Sequence, residues 1–217
     1  MNSIQVASKP RDDGFRMPGE FEPHDGCWMI FPERPDTWGI DPRPAQRVFA
    51  DVATAIARFE PVTLCVSPRA LKPARSMLPD DVRIVEMENN DAWMRDCGPS
   101  FVIDDRGGVA GVDWEFNAWG GLEEGLYHPW DDDDRVAGQV LDLVGARRYK
   151  TALVNEGGAI HVDGEGTLIT TRSVLLNPNR NPDLSQADVE RVFHEYLGID
   201  KTIWLDIEAE DETDGHV

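Results

Sequence analysis

The sequence predicts an α/β fold, a partial propeller-like array of about three hairpin–helix–strand units. Two observations carry that prediction. Hairpin and helix signals run twice in the same order from residue 100 on, the second time closed by a strand ending at Leu205, and Asp96, Glu156 and His216 recur at intervals of 60 residues. Asp96 sits in Asn-Asp-Ala-Trp-Met-Arg-Asp-Cys-Gly-Pro, Glu156 in Val-Asn-Glu-Gly-Gly-Ala-Ile-His, and His216 in Asp-Glu-Thr-Asp-Gly-His-Val. A reactive side chain delivered once per repeat is how a closed, propeller-like array builds one site at its axis. A ring of only three such units leaves sheet edges open. Residues 1–217 are read as one domain, incomplete at the C-terminal side because the third segment is cut short after Val217.

The elements follow in order. Cys27 to Phe31 reads as an extended strand, and Val48, Val52, Ile56 and Phe59 form a stripe at helical spacing, expected to be the buried face. Val62 to Val66 is a short buried strand, residues 69–78 are helical, and Val82 to Met87 is another strand. Ser100 to Ile103 and Val109 to Phe116 flank the turn Asp104-Asp105-Arg106-Gly107-Gly108 as a hairpin. Asp131 to Asp134 is read as the solvated acidic start of a helix carrying Val136, Val140, Leu141 and Val144. The pattern then recurs: Ala159 to Val162, a turn at Asp163-Gly164-Glu165-Gly166, and Thr167 to Thr171. A helix follows, capped by Ser185 with Asp188 three residues on and burying Val189, Val192, Phe193 and Tyr196. Thr202 to Leu205 closes the unit and leads into an acidic loop, 206–214.

Composition narrows the function classes. Apolar residues make up 41% of the chain and Trp occurs seven times, as in a packed globular protein. The net charge of −20 argues against nucleic acid and anionic membranes as partners, because phosphate contacts need clustered Lys and Arg. Such an acidic surface keeps a protein soluble, in high salt above all; the competing reading is that it draws a cationic ligand to an acidic cleft. No apolar run approaches the ~18 residues of a membrane span, and the polar N-terminus is not a signal peptide, so the cytoplasm is the expected location. Self-association into a homo-oligomer is left open. Cys27, Cys65 and Cys97 are odd in number and lack zinc spacing, so no disulfide framework is expected.

Brought together, Asp96, Glu156 and His216 have a definite chemistry. Carboxylates flanking a pocket bind a planar cation such as guanidinium through paired charge-assisted hydrogen bonds, and a nearby His shuttles protons near neutral pH. Trp93, three residues before Asp96, is placed to cover an aliphatic or cationic ligand. Neither a metal nor a cofactor is expected: one His with carboxylates from separate repeats is a weak metal pattern, and four adjacent Asp side chains cannot converge on one ion. Taken singly the signals are ambiguous. An Arg95-Asp96 pair is more often a structural ion pair, and Gly157-Gly158 more often a turn.

Several longer stretches carry a resemblance. They are Phe15 to Pro23, Trp28 to Asp36, Asn90 to Pro99, Phe116-Asn117-Ala118-Trp119-Gly120-Gly121, Glu156-Gly157-Gly158 with His161, and Thr213 to Val217. In these the chain resembles the agmatine deiminases of the guanidino-modifying superfamily, whose fold is a five-bladed α/β (pentein) propeller. The resemblance runs from about residue 10 to the last, and Trp28 to Asp36 is closer to the agmatine branch than to the peptidyl-arginine branch. It implies hydrolysis of agmatine to N-carbamoylputrescine and ammonia, in putrescine and polyamine synthesis. A Cys thiolate attacks the guanidinium carbon while two Asp hold the nitrogens; a His protonates the departing ammonia and then activates water against the thiouronium intermediate. On this implication Asp96 and His216 are catalytic, while Trp93, Trp119 and Glu156 line the substrate pocket; burial is the competing reading for Trp119 and Glu156.

The resemblance also implies a nucleophile in a Gly-rich C-terminal segment beyond residue 217, and a second Asp just after the His-Val pair. None of the three Cys stands in such a context. Cys97 is a poor substitute, since an adjacent anion raises a thiol's pKa. His161 is read as structural or supporting. The alternative to an enzyme is a truncated, non-catalytic protein that binds cationic guanidino or amine ligands.

Overall fold

The computed structural model describes residues 8–206 and 213–217, so most of the expected acidic loop, 207–212, lies outside the described residues. The chain forms two compact units, one of Pro23–Met94 with Asp131–Asp133, the other of the remaining residues.

The first unit is built on a parallel three-stranded sheet. Strands β1 (Cys27–Ile30), β2 (Val62–Val66) and β3 (Arg83–Glu86) lie in that order, with Cys27 opposite Val62 and Leu64 opposite Ile84. β2 is buried along its whole length, as the central strand of a parallel sheet should be. Helices α1 (Pro35–Trp38), α2 (Arg43–Ile56) and α3 (Leu71–Met77) connect the strands. This sheet is all parallel, so the expected hairpin–helix–strand unit is absent from it.

Two expectations fail here. The helix at 43–56 exists, but the face that packs carries Gln46, Ala50 and Ala53; of the expected stripe Ile56 packs against the core, whereas Val48 and Val52 are exposed, and Phe59, beyond the helix end, is 86% exposed. Ala53 joins Val62, Leu64 and Val66 in the core, and Gln46 donates from its Nε2 to the carbonyl of Pro32 at 2.9 Å. Spacing identified the helix; small side chains chose the face, because they let it approach the sheet closely. The acidic run is not simply a solvated helix start either. Asp133 is buried, its carboxylate accepting the backbone N–H groups of Asn90 (2.7 Å) and Asp91 (3.1 Å), while Asn90 Oδ1 accepts from the Asp132 N–H at 2.8 Å.

The second unit carries the repeat. After the short helix α4 (Met94–Cys97), β4 (Ser100–Ile103) and β5 (Val109–Glu115) form an antiparallel hairpin with Ser100 opposite Val112. Helices α5 (Gly121–Glu124) and α6 (Val136–Val144) follow, and β6 (Arg147–Val154) returns parallel to β5. The α6–β5 packing is tight: a Cβ on Gly111 would lie 2.3 Å from a methyl of Leu141. Val136, Val140 and Leu141 are buried on α6, whereas Val144 is exposed. The next unit repeats the plan. β7 (Ile160–Val162) and β8 (Thr167–Thr171) form a hairpin, α7 (Arg172–Leu175) and α8 (Gln186–Leu197) follow, and β9 (Lys201–Leu205) lies parallel to β8.

The start of α8 is a complete capping box, Ser185 with Asp188, as its sequence implies. Val112, Trp114, Tyr149, Leu168 and Phe193 belong to one core shared by both units of the repeat. Among the described residues the fold is thus mixed α/β with three small sheets, two of them hairpin plus parallel strand. Among the described residues no helix is long and apolar enough to cross a membrane.

Candidate functional site

Asp96, Glu156 and His216 come together in the second unit. Asp96 lies in α4, ahead of the β4–β5 hairpin, and Glu156 precedes the turn Gly157–Ala159 that leads into β7. The imidazole of His216 stands between them, its Nδ1 3.9 Å from Asp96 Oδ1 and its Nε2 3.5 Å from Glu156 Oε2. The equal sequence spacing therefore reflects equal structural roles: each residue sits at the head of, or just beyond, a repeated unit.

Two glycines make this convergence sterically feasible. The Gly158 N–H donates to Asp96 Oδ1 at 2.8 Å. A Cβ there would stand 2.5 Å from His216 Nδ1 and 2.6 Å from Asp96 Oδ1. On Gly157 it would lie 2.0 Å from the carbonyl oxygen of Arg95. Both positions are closed to any side chain unless the site opens.

Burial pushes the Asp96 carboxyl above its ordinary value. The imidazole of His216, the Gly158 N–H and the nearby Trp119 indole oppose that rise, whereas Glu156 adds to it. The site is a desolvated carboxylate beside an imidazole, an environment that favours an incoming cation.

Glu156 is wholly buried, beneath the imidazole rather than on a rim. Its Oε1 accepts from Arg180 Nε at 2.7 Å, and that guanidinium is itself fully buried. Arg180 Nη1 donates to Asp214 Oδ2 at 2.8 Å. The turn bearing His216 is further fixed by Thr171 Oγ1 donating to the Gly215 carbonyl at 2.8 Å, and Asp214 holds a left-handed φ of 60°. Arg180 was not singled out from the sequence. Its only signal there was an isolated cation in the amide-rich run Asn177-Pro178-Asn179-Arg180-Asn181.

Trp119 is buried, edge-on to Phe116 and Tyr127. It and Ala118 hold φ values of 63° and 53°. Left-handed backbone at a bulky side chain is a genuine outlier, and such strain gathers where function fixes a side chain. Trp93 belongs to the other unit, where its indole N–H donates to Asp91 at 2.9 Å and its ring stacks on Trp38. His161 faces out, 3.8 Å from Glu20, not toward His216. Burial raises the thiol pKa of Cys27 and pushes that of Cys65 to about 12. Among the described residues no cluster of His, Cys, Asp or Glu has the geometry to hold a metal ion.

Comparison with known proteins agrees on one group. The model of the family described as Porphyromonas-type peptidyl-arginine deiminase matches residues 16–217. Agmatine deiminase of Pseudomonas aeruginosa (strain UCBPP-PA14) is 59% identical over 213 residues, which is 97% of this chain and 58% of that protein. Agmatine deiminase of Ectopseudomonas mendocina is 57% identical over 98% of this chain and 58% of its own length. The solved structure of Enterococcus faecalis agmatine deiminase superposes with a TM-score of 0.96 at 50% identity, over 100% of this chain and 60% of that one. The chain thus spans about 60% of the length of the relatives it matches.

Proposed function

Since the chain belongs to the Porphyromonas-type peptidyl-arginine deiminase family, we propose that its site takes the guanidinium group of agmatine, and that the whole protein hydrolyses agmatine to N-carbamoylputrescine and ammonia. The observation that carries this reading is the buried Asp96 carboxylate beside the imidazole of His216, itself backed by Glu156. Asp96 would hold two guanidinium nitrogens by charge-assisted hydrogen bonds. His216 would give a proton to the departing ammonia and take one from the water that follows. Trp119 would pack along the alkyl chain. The step that needs a thiolate is assigned, from the family resemblance, to a Cys in a Gly-rich segment outside these residues.

The finer architecture is read as part of a pentein propeller, supported by the two successive hairpin–helix–strand units. Action in the cytoplasm in putrescine synthesis, and assembly as a homo-oligomer, belong to the same reading.

A second reading, binding without catalysis, has support for these 217 residues: burial raises the pKa of two of the three thiols, Cys27 and Cys65, away from the thiolate form. The test is calorimetric titration of the chain with agmatine and with putrescine, which lacks the guanidinium. Preference for agmatine, lost in Asp96→Asn, is expected. Equal affinity for both ligands, or an unchanged Asp96→Asn, would refute the site.

A further inference from the structure

One fully buried cation lies behind this site. Arg180 donates through Nε to Glu156 Oε1 (2.7 Å) and through Nη1 to Asp214 Oδ2 (2.8 Å). Both carboxylates bear on His216: Glu156 faces its Nε2 at 3.5 Å, and Asp214 belongs to the turn two residues before it in the chain. One guanidinium therefore holds both the carboxylate that faces the imidazole and the turn that carries it. A lysine could not do this, because its ammonium lacks the planar fork that reaches two acceptors at fixed angles.

The loop bearing Arg180 is built to hold it still. Asn181 Nδ2 donates to the carbonyls of Val154 (3.0 Å) and Leu175 (3.1 Å), and its Oδ1 accepts the Val154 N–H at 3.1 Å, tying the loop to the end of β6. Asn117 Nδ2 donates to the Asn179 carbonyl at 2.9 Å, and Asn179 Oδ1 accepts from Arg180 Nη1 at 2.6 Å. Among the described residues Arg180 Nη2 finds no hydrogen-bond partner, and the side chain is directed by the two anions and Asn179. The turn needs that hold. Asp214 and Gly215 both lie at positive φ, 60° and 96°, and an L-residue occupies that region only when something beyond its own preference favours it.

We propose that Arg180 is the positioning residue of this site: it fixes Glu156 and the Asp214–Gly215 turn together, and so sets the place and charge environment of His216. The proposal deepens the deiminase reading, yet its test needs no substrate.

The groups facing His216 are Asp96 and Glu156, with Arg180 and Asp214 directly behind them. Removing the guanidinium takes a positive charge away from the Glu156–His216 pair, so the pair binds its first proton at higher pH. The experiment follows His216 ring nitrogens and the Glu156 carboxyl carbon by NMR across pH, in the parent chain, Arg180→Met, Arg180→Lys and Asp214→Asn. Amide exchange at Gly215 and His216 is measured alongside.

In Arg180→Met the first protonation of the pair should move up by about one unit or more. Arg180→Lys, which keeps the charge without the fork, should bring it back while amide exchange stays at least about tenfold faster than in the parent. If Arg180→Met does not fold, Asp214→Asn decides. It leaves the Arg180–Glu156 pair intact, and exchange at Gly215 and His216 should rise about tenfold, while loss of an anion gives no upward shift in the titration of the pair. A folded Arg180→Met with unmoved titration, or an Asp214→Asn with unchanged exchange, overturns the proposal. Because none of these readouts involves agmatine, failure of the substrate assignment would be seen separately, as failure to bind agmatine.

Discussion

Replacing Gly158 by Ala puts one methyl group into the centre of the site. The new Cβ would lie 2.5 Å from His216 Nδ1, 2.6 Å from Asp96 Oδ1 and 2.9 Å from His216 Cε1. Ordinary contact requires about 3.4 Å, so the imidazole and the carboxylate must each retreat by about 0.8–0.9 Å. Neither can swing freely into solvent, since both side chains are mostly buried. Displacements near 1 Å at a reacting group commonly cost about 100-fold, so agmatine affinity should fall by roughly that factor.

The stability loss should be that of a modest overpacking, about 1–3 kcal/mol. For a chain of this length that lowers the unfolding midpoint by about 2–4 °C per kcal/mol. Gly157→Ala is the control: its Cβ would strike the Arg95 carbonyl oxygen at 2.0 Å, and backbone cannot rotate away as a side chain can. It should therefore lose more stability than Gly158→Ala. Calorimetric binding and thermal melts of both variants decide the matter. A Gly158→Ala chain that binds agmatine within twofold of the parent would refute the argument that Asp96 and His216 are held at fixed separation.

Asp96→Asn should weaken agmatine binding by the loss typical of a buried charged hydrogen bond, about 2–5 kcal/mol, while raising the unfolding midpoint. The Asp96 carboxyl is raised by burial, so its charged form destabilises the fold at neutral pH, and that penalty disappears as pH falls through its folded value. The midpoint advantage of Asp96→Asn should accordingly be largest near pH 7 and shrink toward acid; an advantage independent of pH would contradict it. The double variant Val48→Lys with Val52→Lys should shift stability by less than about 0.5 kcal/mol per position, because both side chains are on the exposed face of α2, as denaturant melts would show. With a net charge of −20, molar KCl should raise the unfolding midpoint by screening self-repulsion; identical melts at low and high salt would refute this.

Much of the architecture was legible because local chemistry and tertiary demand agree. The turns at Asp104–Gly108 and Asp163–Gly166 end their strands where glycine takes left-handed backbone, as at Gly107 and Gly164. Ser185 and Asp188 cap their helix in the pattern that their spacing announces. β6 escaped notice because it lies at a sheet edge and buries only Tyr149 and Leu153 among eight residues, so Arg147, Arg148 and Lys150 hide its strand character. The α2 face was misread because apolar spacing records a helix's period and not which side meets the sheet. At the site, the interval of 60 residues exposed Asp96, Glu156 and His216, since each occupies an equivalent place in the repeat. Arg180 lies outside that rhythm, and only burial beside Glu156 and Asp214 reveals it.

The central claim is that Asp96 and His216 together form a guanidinium site. The most direct measurement is a crystal structure of the chain soaked with agmatine. The guanidinium should lie with two nitrogens about 2.7–2.9 Å from the Asp96 carboxylate, against the imidazole of His216, with its alkyl chain leading away from the carboxylate. Agmatine bound through its primary amine, or seated away from Asp96 at saturating concentration, would contradict the account.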